Sequence, residues 1–343
     1  MEFKVGAYRT AWGVANGVSV VDTINPLDIE DPTRFDRRLS VPSATLTAHW
    51  ETFSASGIVI PFFVPAALPA VPVSVMSGAT DLIDERIIGG DETTIGDLAS
   101  RPVVPNDSLA ETTLGIRLRW TASAGDFALS WHHGRDSLPQ VNGDLLLVGY
   151  QTNNDKVDVG IPLTYPRMDV LGFTARAPIG VGIVGWLETA VVFPEATAAS
   201  PSAAQLDGLV KLGTIDEMPN PIPTTVTQDG KPLARWILGA DRPIGPVRLT
   251  AQWMHGFFTE RSQSSLNDYA LMGVQITLGE TVRLDTKAAT TSKGHLADIS
   301  LRYLHDDAVD IKVGGTHIDG DNNSAFGGLR AASNLYTRVS LKF

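Results

Sequence analysis

From residue 114 onward, apolar and polar positions take turns. Leu114, Ile116, Leu118 and Trp120 fall on one parity, and Gly115, Arg117, Arg119 and Thr121 on the other. Successive side chains of an extended chain point to opposite faces, so a repeat of two predicts a strand with one apolar and one polar face. Phe127, Leu129 and Trp131 oppose Ala128, Ser130 and His132 in the same way, and Val247, Leu249, Ala251 and Trp253 oppose Arg248, Thr250 and Gln252. Toward the C-terminus the pattern is strongest. Ala270, Met272, Val274 and Ile276 alternate with Tyr269, Leu271, Gly273 and Gln275; Val282 and Leu284 with Arg283, Asp285 and Lys287. Ala297, Ile299, Leu301 and Tyr303 alternate with Asp298, Ser300 and Arg302; Val309, Ile311 and Val313 with Asp310 and Lys312; Leu335, Val339, Leu341 and Phe343 with Tyr336, Arg338 and Lys342. Adding residues 3–12, 44–52, 57–64, 168–176, 181–193 and 233–241 gives about fourteen strands of roughly 9–11 residues, the length a tilted membrane strand needs.

The connections alternate too. Tight turns are expected near Ser54 and at 122–126, 177–180, 241–245, 278–281 and 305–308; long ones at 13–42, 65–110, 134–166, 194–231, 259–266, 288–295 and 318–333. Short periplasmic turns on one rim and long extracellular loops on the other are how outer-membrane barrels are built, and an even strand count returns both termini to the short-turn rim. A soluble β-sandwich or propeller alternates as well, with its polar face outward, and alternation alone does not say which face is which. Long loops at every second connection, with Arg, Asp and Lys at strand centres, favour the barrel. The uncharged run 57–76 is long enough to span a bilayer as a helix. Pro61, Pro65, Pro69 and Pro72 inside it each cost a helix about 3 kcal/mol or more, so it reads as a strand entering a Pro-rich loop.

Composition narrows the function classes. The chain has 343 residues, 43 % of them hydrophobic, no Cys and a formal charge of −11. That length suits a single barrel domain over 1–343. Without Cys there are no thiolate metal sites, cysteine nucleophiles or disulfides, and the acidic balance leaves no basic footprint for nucleic acid. The start, Met1 to Lys4, lacks a basic stretch followed by an apolar core, so no signal peptide is expected there.

Most motif matches have a plainer explanation. Residues 180–185 spell G-x-G-x-x-G, but a strand rather than a helix follows, so a turn is expected. Residues 319–324 start like a calcium loop, yet Ser324 stands where Gly is needed and Arg330 where a bidentate Glu is needed, leaving a polar loop tip. Asp22, Asp28, Asp31 and Asp36 read as solvated loop acids rather than cation ligands. His132 and His133 are adjacent on a strand and point to opposite faces, so they cannot chelate one metal together. No nucleophile elbow, H-E-x-x-H or paired catalytic carboxylate occurs, so no enzyme, cofactor or metal is expected.

The polar parity carries the functional signal. Arg117, Arg119, Arg235, Arg248, Arg283, Asp285, Lys287, Asp298, Arg302, Asp310, Lys312 and Arg338 are expected to line a pore, with Leu118, Trp120, Trp131, Trp253, Ile299, Tyr303 and Phe343 facing the membrane. Counting Lys4, Lys342, Glu51 and Glu188 in the same alternation leaves a surplus of about six positive charges, which makes a pore favour anions. Alternatively Asp285, Arg302, Asp310 and Arg338, on successive strands, form cross-strand ion pairs that satisfy a crowded interior.

Three stretches resemble porin-like outer-membrane barrels of Gram-negative bacteria, a largely uncharacterised group similar to alginate-export porins. The first is 6–51, with Trp12, Gly13, Asp22, Asn25, Pro26, Asp36, Arg38 and Pro42 in the family's places. The second is 165–188, where Val191 and Val192 replace the tyrosines usual after the Glu. The third, the terminal run ending in Phe343, is similar to the signal that barrel-assembly machinery reads. The resemblance implies a bacterial outer-membrane barrel in contact with the lipid bilayer and lipopolysaccharide, with about 16–18 strands in the family, some ahead of the Trp-Gly strand. The expected function is passive diffusion of small polar or anionic solutes, as a monomer or homotrimer, with 65–110 and 194–231 folded in as constrictions. The alternative is a non-conducting barrel whose long acidic loops bind a partner or surface polymer.

Overall fold

The structure, a computed structural model, describes residues 1–31, 37–68, 95–106, 108–151, 156–201, 211, 225–305, 309–321, 324 and 326–341. Twenty strands follow one another: β1 (Glu2–Tyr8), β2 (Val41–His49), β3 (Phe53–Ile60), β4 (Ile95–Pro102), β5 (Thr113–Ala122), β6 (Gly125–Arg135), β7 (Gln140–Val141), β8 (Gly143–Gln151), β9 (Lys156–Thr164) and β10 (Arg167–Gly180). Then come β11 (Ile183–Pro194), β12 (Thr197–Pro201), β13 (Thr225–Gln228), β14 (Leu233–Ile244), β15 (Val247–His255), β16 (Asp268–Leu278), β17 (Val282–Thr291), β18 (Gly294–His305), β19 (Val309–Gly320) and β20 (Asn334–Leu341). Among the described residues no helix is long and apolar enough to cross a membrane.

The strands expected from alternation are the fourteen of one antiparallel sheet, in the order β1-β2-β3-β5-β6-β10-β11-β14-β15-β16-β17-β18-β19-β20. The sheet is curled. Val41 on β2 and Ile318 on β19 lie eleven places apart in that order, about 53 Å across if the sheet were flat. Both nevertheless belong to one buried cluster with Trp12, Val18, Val20, Val21 and Ile24. Among the described residues β1 pairs only with β2 and β20 only with β19, so the sheet has two edges.

The apolar face is the outer one. Leu118, Leu129, Leu171, Leu238, Leu249, Met272, Ile299, Leu301, Val313 and Val339, on nine different strands, are each 37–65 % exposed. A soluble sheet protein turns that face inward. Here the described residues of the chain leave it uncovered.

Several boundaries differ from expectation. β1 ends at Tyr8, not Trp12, and the turn near Ser54 lies at residues 50–52. β10 runs through 177–180 with a register shift at Pro178, where a missing N–H is tolerated, and the turn falls at Val181 and Gly182. Likewise β14 continues to Ile244 and turns at Gly245 and Pro246. Gly182 and Gly245 take φ of +69° and +57°, which a side chain disfavours, so the glycines decide where the chain reverses. The connection at 288–295 is not long: β17 reaches Thr291, and only Ser292 and Lys293 precede β18. The turn at 305–308 has residues 306–308 outside the described residues.

The expected long connections also contain strands. β4, β7, β8, β9, β12 and β13 build a second sheet in the order β13-β12-β8-β9-β4, with β7 on β9. Two of its pairings, β12 with β8 and β4 with β9, are parallel and join segments from different loops. No local alternation announces such pairing.

Candidate functional site

Residues 69–94, 202–210 and 212–224 of the expected constrictions lie outside the described residues; among those described, another segment enters the interior. After Tyr8 the chain turns into the hollow of the sheet, and residues 12–27 lie within it. Glu188 on β11, fully buried, holds this segment. One carboxylate oxygen accepts the N–H groups of Val14 and Ala15 (2.7 Å for Ala15). The other accepts the Ser19 hydroxyl at 2.7 Å and the Val20 N–H at 3.1 Å. An irregular segment inside a sheet has no ladder to bond its backbone, so a buried carboxylate does that work.

Other wall residues complete the hold. Gln252 on β15 accepts the Asn16 N–H at 3.1 Å and donates to its carbonyl at 2.7 Å. Arg117 on β5 donates to the Trp12 carbonyl at 3.0 Å, and Arg338 on β20 meets Asp31 at 2.6 Å. His132 on β6 packs edge-on against Trp12, with Thr23 3.4 Å from its ring. Within the segment, Asp22 accepts the Trp12 N–H at 3.2 Å. Burial pushes the Asp22 carboxyl above its ordinary value, against the opposing pull of Arg38. The approach is close enough to require glycine: a Cβ on Gly13 would lie 2.1 Å from the Ser19 hydroxyl, and one on Gly115 2.7 Å from the Trp12 ring.

The pairing register puts every pore-lining candidate (Arg117, Arg119, Arg235, Arg248, Arg283, Asp285, Lys287, Asp298, Arg302, Asp310, Lys312 and Arg338) on the same face as Glu188. It brings several of them, though not Arg117, Arg235, Arg283 or Lys287, into pairs with polar or acidic neighbours. Arg302 grips Asp310 through two N–H groups, Lys312 lies 3.8 Å from Asp298, and Gln275 donates to Asp285 at 2.9 Å. Arg119 meets Asp126 at 3.3 Å and Arg248 meets Asp241 at 3.5 Å. Asp126, Asp241 and Arg176, which stands directly opposite Asp126, share this inner face outside the expected set, so the positive surplus is only slightly smaller. Asp126 falls in the expected turn 122–126, and Asp241 at the junction of an expected strand and turn.

On the outer face, Leu118, Trp253, Ile299 and Tyr303 are exposed, while Trp120 and Trp131 are half-buried against neighbours on their own face. Phe343 lies outside the described residues. Two matching clusters stand at long-loop ends of strands. Trp131 and His133 on β6 both bond one oxygen of Asp169 on β10, at 3.2 and 3.1 Å. Trp253 and His255 on β15 do the same with Asp268 on β16, at 3.3 and 2.9 Å. The Trp-x-His spacing on both strands was a readable signal that sequence reasoning passed over.

The loop acids do not converge. Asp22 serves the segment, Asp28 pairs with Arg37 at 2.6 Å, Asp31 pairs with Arg338, and Asp36 lies outside the described residues. Among the described residues no group of His, Asp or Glu is placed to hold a metal ion. Asp319, expected at a loop tip, lies instead in β19, where it pairs with Arg330 at 2.8 Å. No protein-family model matches the chain, and no curated protein matches it in sequence.

Proposed function

We propose that the chain forms an outer-membrane β-barrel channel for small polar or anionic solutes, its conductance throttled by the infolded segment 12–27. The observation that carries this reading is the inverted sheet: apolar side chains outside on strand after strand, charged ones inside. In water such a surface is costly at about 25 cal/mol per Å²; in lipid it is the required one. The Trp-His-Asp clusters fit the interface level, where a ring body meets hydrocarbon and its polar atoms meet headgroups. A tightly packed interior favours a second reading, a barrel closed to solutes whose loops bind a partner or surface polymer.

Conductance separates the two. The refolded chain in a planar bilayer under a salt gradient should give small, stable steps with a reversal potential only slightly on the anion side, because Arg119, Arg248, Arg302 and Arg338 are each paired with a carboxylate. A folded barrel that never conducts supports the closed reading. The membrane itself is tested by Ile299→Arg on the outer face, where the side chain is 57 % exposed. Refolding into bilayers should lose about 2–4 kcal/mol if that face meets lipid, and almost nothing if it meets water.

A further inference from the structure

Beside the buried segment, toward the long-loop ends of β6, β14 and β15, lies a cavity of about 40 Å³. Arg235 and Arg261 line it, with Arg38, Asp22 and Asp136 also on its wall. Arg235 is 6 % exposed. It donates one N–H to the Glu260 carbonyl at 2.6 Å, while its buried Nε has no partner. A guanidinium carries five N–H donors, and burying one so poorly bonded is costly unless something else accepts from it.

The carboxylates nearby do not fill that role. Glu260 is taken up by the Phe257 and Asn267 N–H groups, the Asn267 amide and the Tyr269 hydroxyl, at 2.7–3.1 Å. Asp136 accepts from Leu138 at 3.0 Å and from Arg261. Asp22 accepts from Trp12 at 3.2 Å. The Arg235 Nε thus stays unbonded beside a space that Arg261, already paired with Asp136, also lines. At roughly 10–15 Å³ for each water-sized position, the space holds about three heavy atoms, the size of a carboxylate group, and not a sugar or a phosphate ester.

We propose that this cavity is a binding site for a small planar oxyanion, the carboxylate end of a solute, held between Arg235 and Arg261 on the long-loop side of the buried segment. The planar fork of arginine suits two-pronged recognition of that group. The inference deepens the channel reading by giving its solute a carboxylate, and rests on it only for what binding is for.

The test is titration calorimetry of the full chain, refolded in detergent, with sodium formate at constant ionic strength. One saturable site per chain is expected. Arg235→Gln should weaken it at least about tenfold and Arg261→Gln by several-fold, while Arg119→Gln, outside the cavity, should leave it unchanged. If Arg235→Gln does not fold, Arg261→Gln, whose side chain is 13 % exposed, decides. Heat that never saturates means a water-filled cavity and overturns the proposal, as does equal affinity in wild type and the folded variants. Because binding is read without conduction, a chain that binds formate but passes no current refutes the channel and spares the site.

Discussion

The inner wall of the curled sheet has two halves. Toward the long loops it is apolar: Ile58, Ile60, Val170, Val192, Ile237, Met254, Leu296 and Ile318 are buried against Trp12, Val18, Val20, Val21 and Ile24. Toward the short turns it is charged and wet, with Arg119, Asp126 and Arg248 showing 51, 43 and 54 % of their side chains. The same strands supply both halves. Period-two alternation therefore says which face a residue is on, while what meets that face is set by whatever the loops deliver.

The largest expected effect breaks the packed half. Glu188→Ala would leave the N–H groups of Val14, Ala15 and Val20 and the Ser19 hydroxyl without their acceptor, at about 1–3 kcal/mol each while they stay buried. Releasing the segment is the cheaper outcome. Single-channel steps should grow several-fold, and the urea midpoint for refolding should fall.

Gly115→Leu comes next. It drives a side chain into Trp12 and Ile24, and overpacking of this kind costs about 1–3 kcal/mol. Limited proteolysis should then cut within residues 12–27, which are otherwise protected. Replacing Arg302 and Asp310 together by Ser in the charged half should cost under about 1 kcal/mol, since the pair is partly exposed. The reversal potential should barely move, because the pair is removed as a unit.

The smallest effect is a pH dependence confined to the packed half. The folded Asp22 carboxyl lies above its ordinary value of 3.8, so the folded segment binds its proton first. Stability should rise as pH falls through the raised value and level off below 3.8. Asp22→Asn should remove that slope, measured as the change in unfolding midpoint between neutral and acidic buffer.

How much of this was legible follows the same division. The fourteen strands and the inward parity of the arginines could be read, because each depends on local alternation. The buried segment could not be read from residues 9–40 alone, although signals existed. The run Val18 to Ile24 is too apolar for a solvated loop, and the ends 58–60, 191–193 and 236–238 are apolar on both parities. A strand end that is apolar on both faces must be covered on both. The second sheet was not legible, since its parallel pairings join residues far apart in sequence. Asp126 and Asp241 were missed because the expected turns 122–126 and 241–245 overlap the strands that hold them.

The most direct test asks whether the segment sits inside the sheet. The chain has no Cys, so a single Val21→Cys gives a clean probe of a side chain that is 2 % exposed. The folded protein in detergent should resist a water-soluble maleimide that labels an exposed Ser123→Cys control, and should become reactive once Glu188→Ala is added. Labelling of Val21→Cys as fast as the control, with Glu188 intact, would contradict the account.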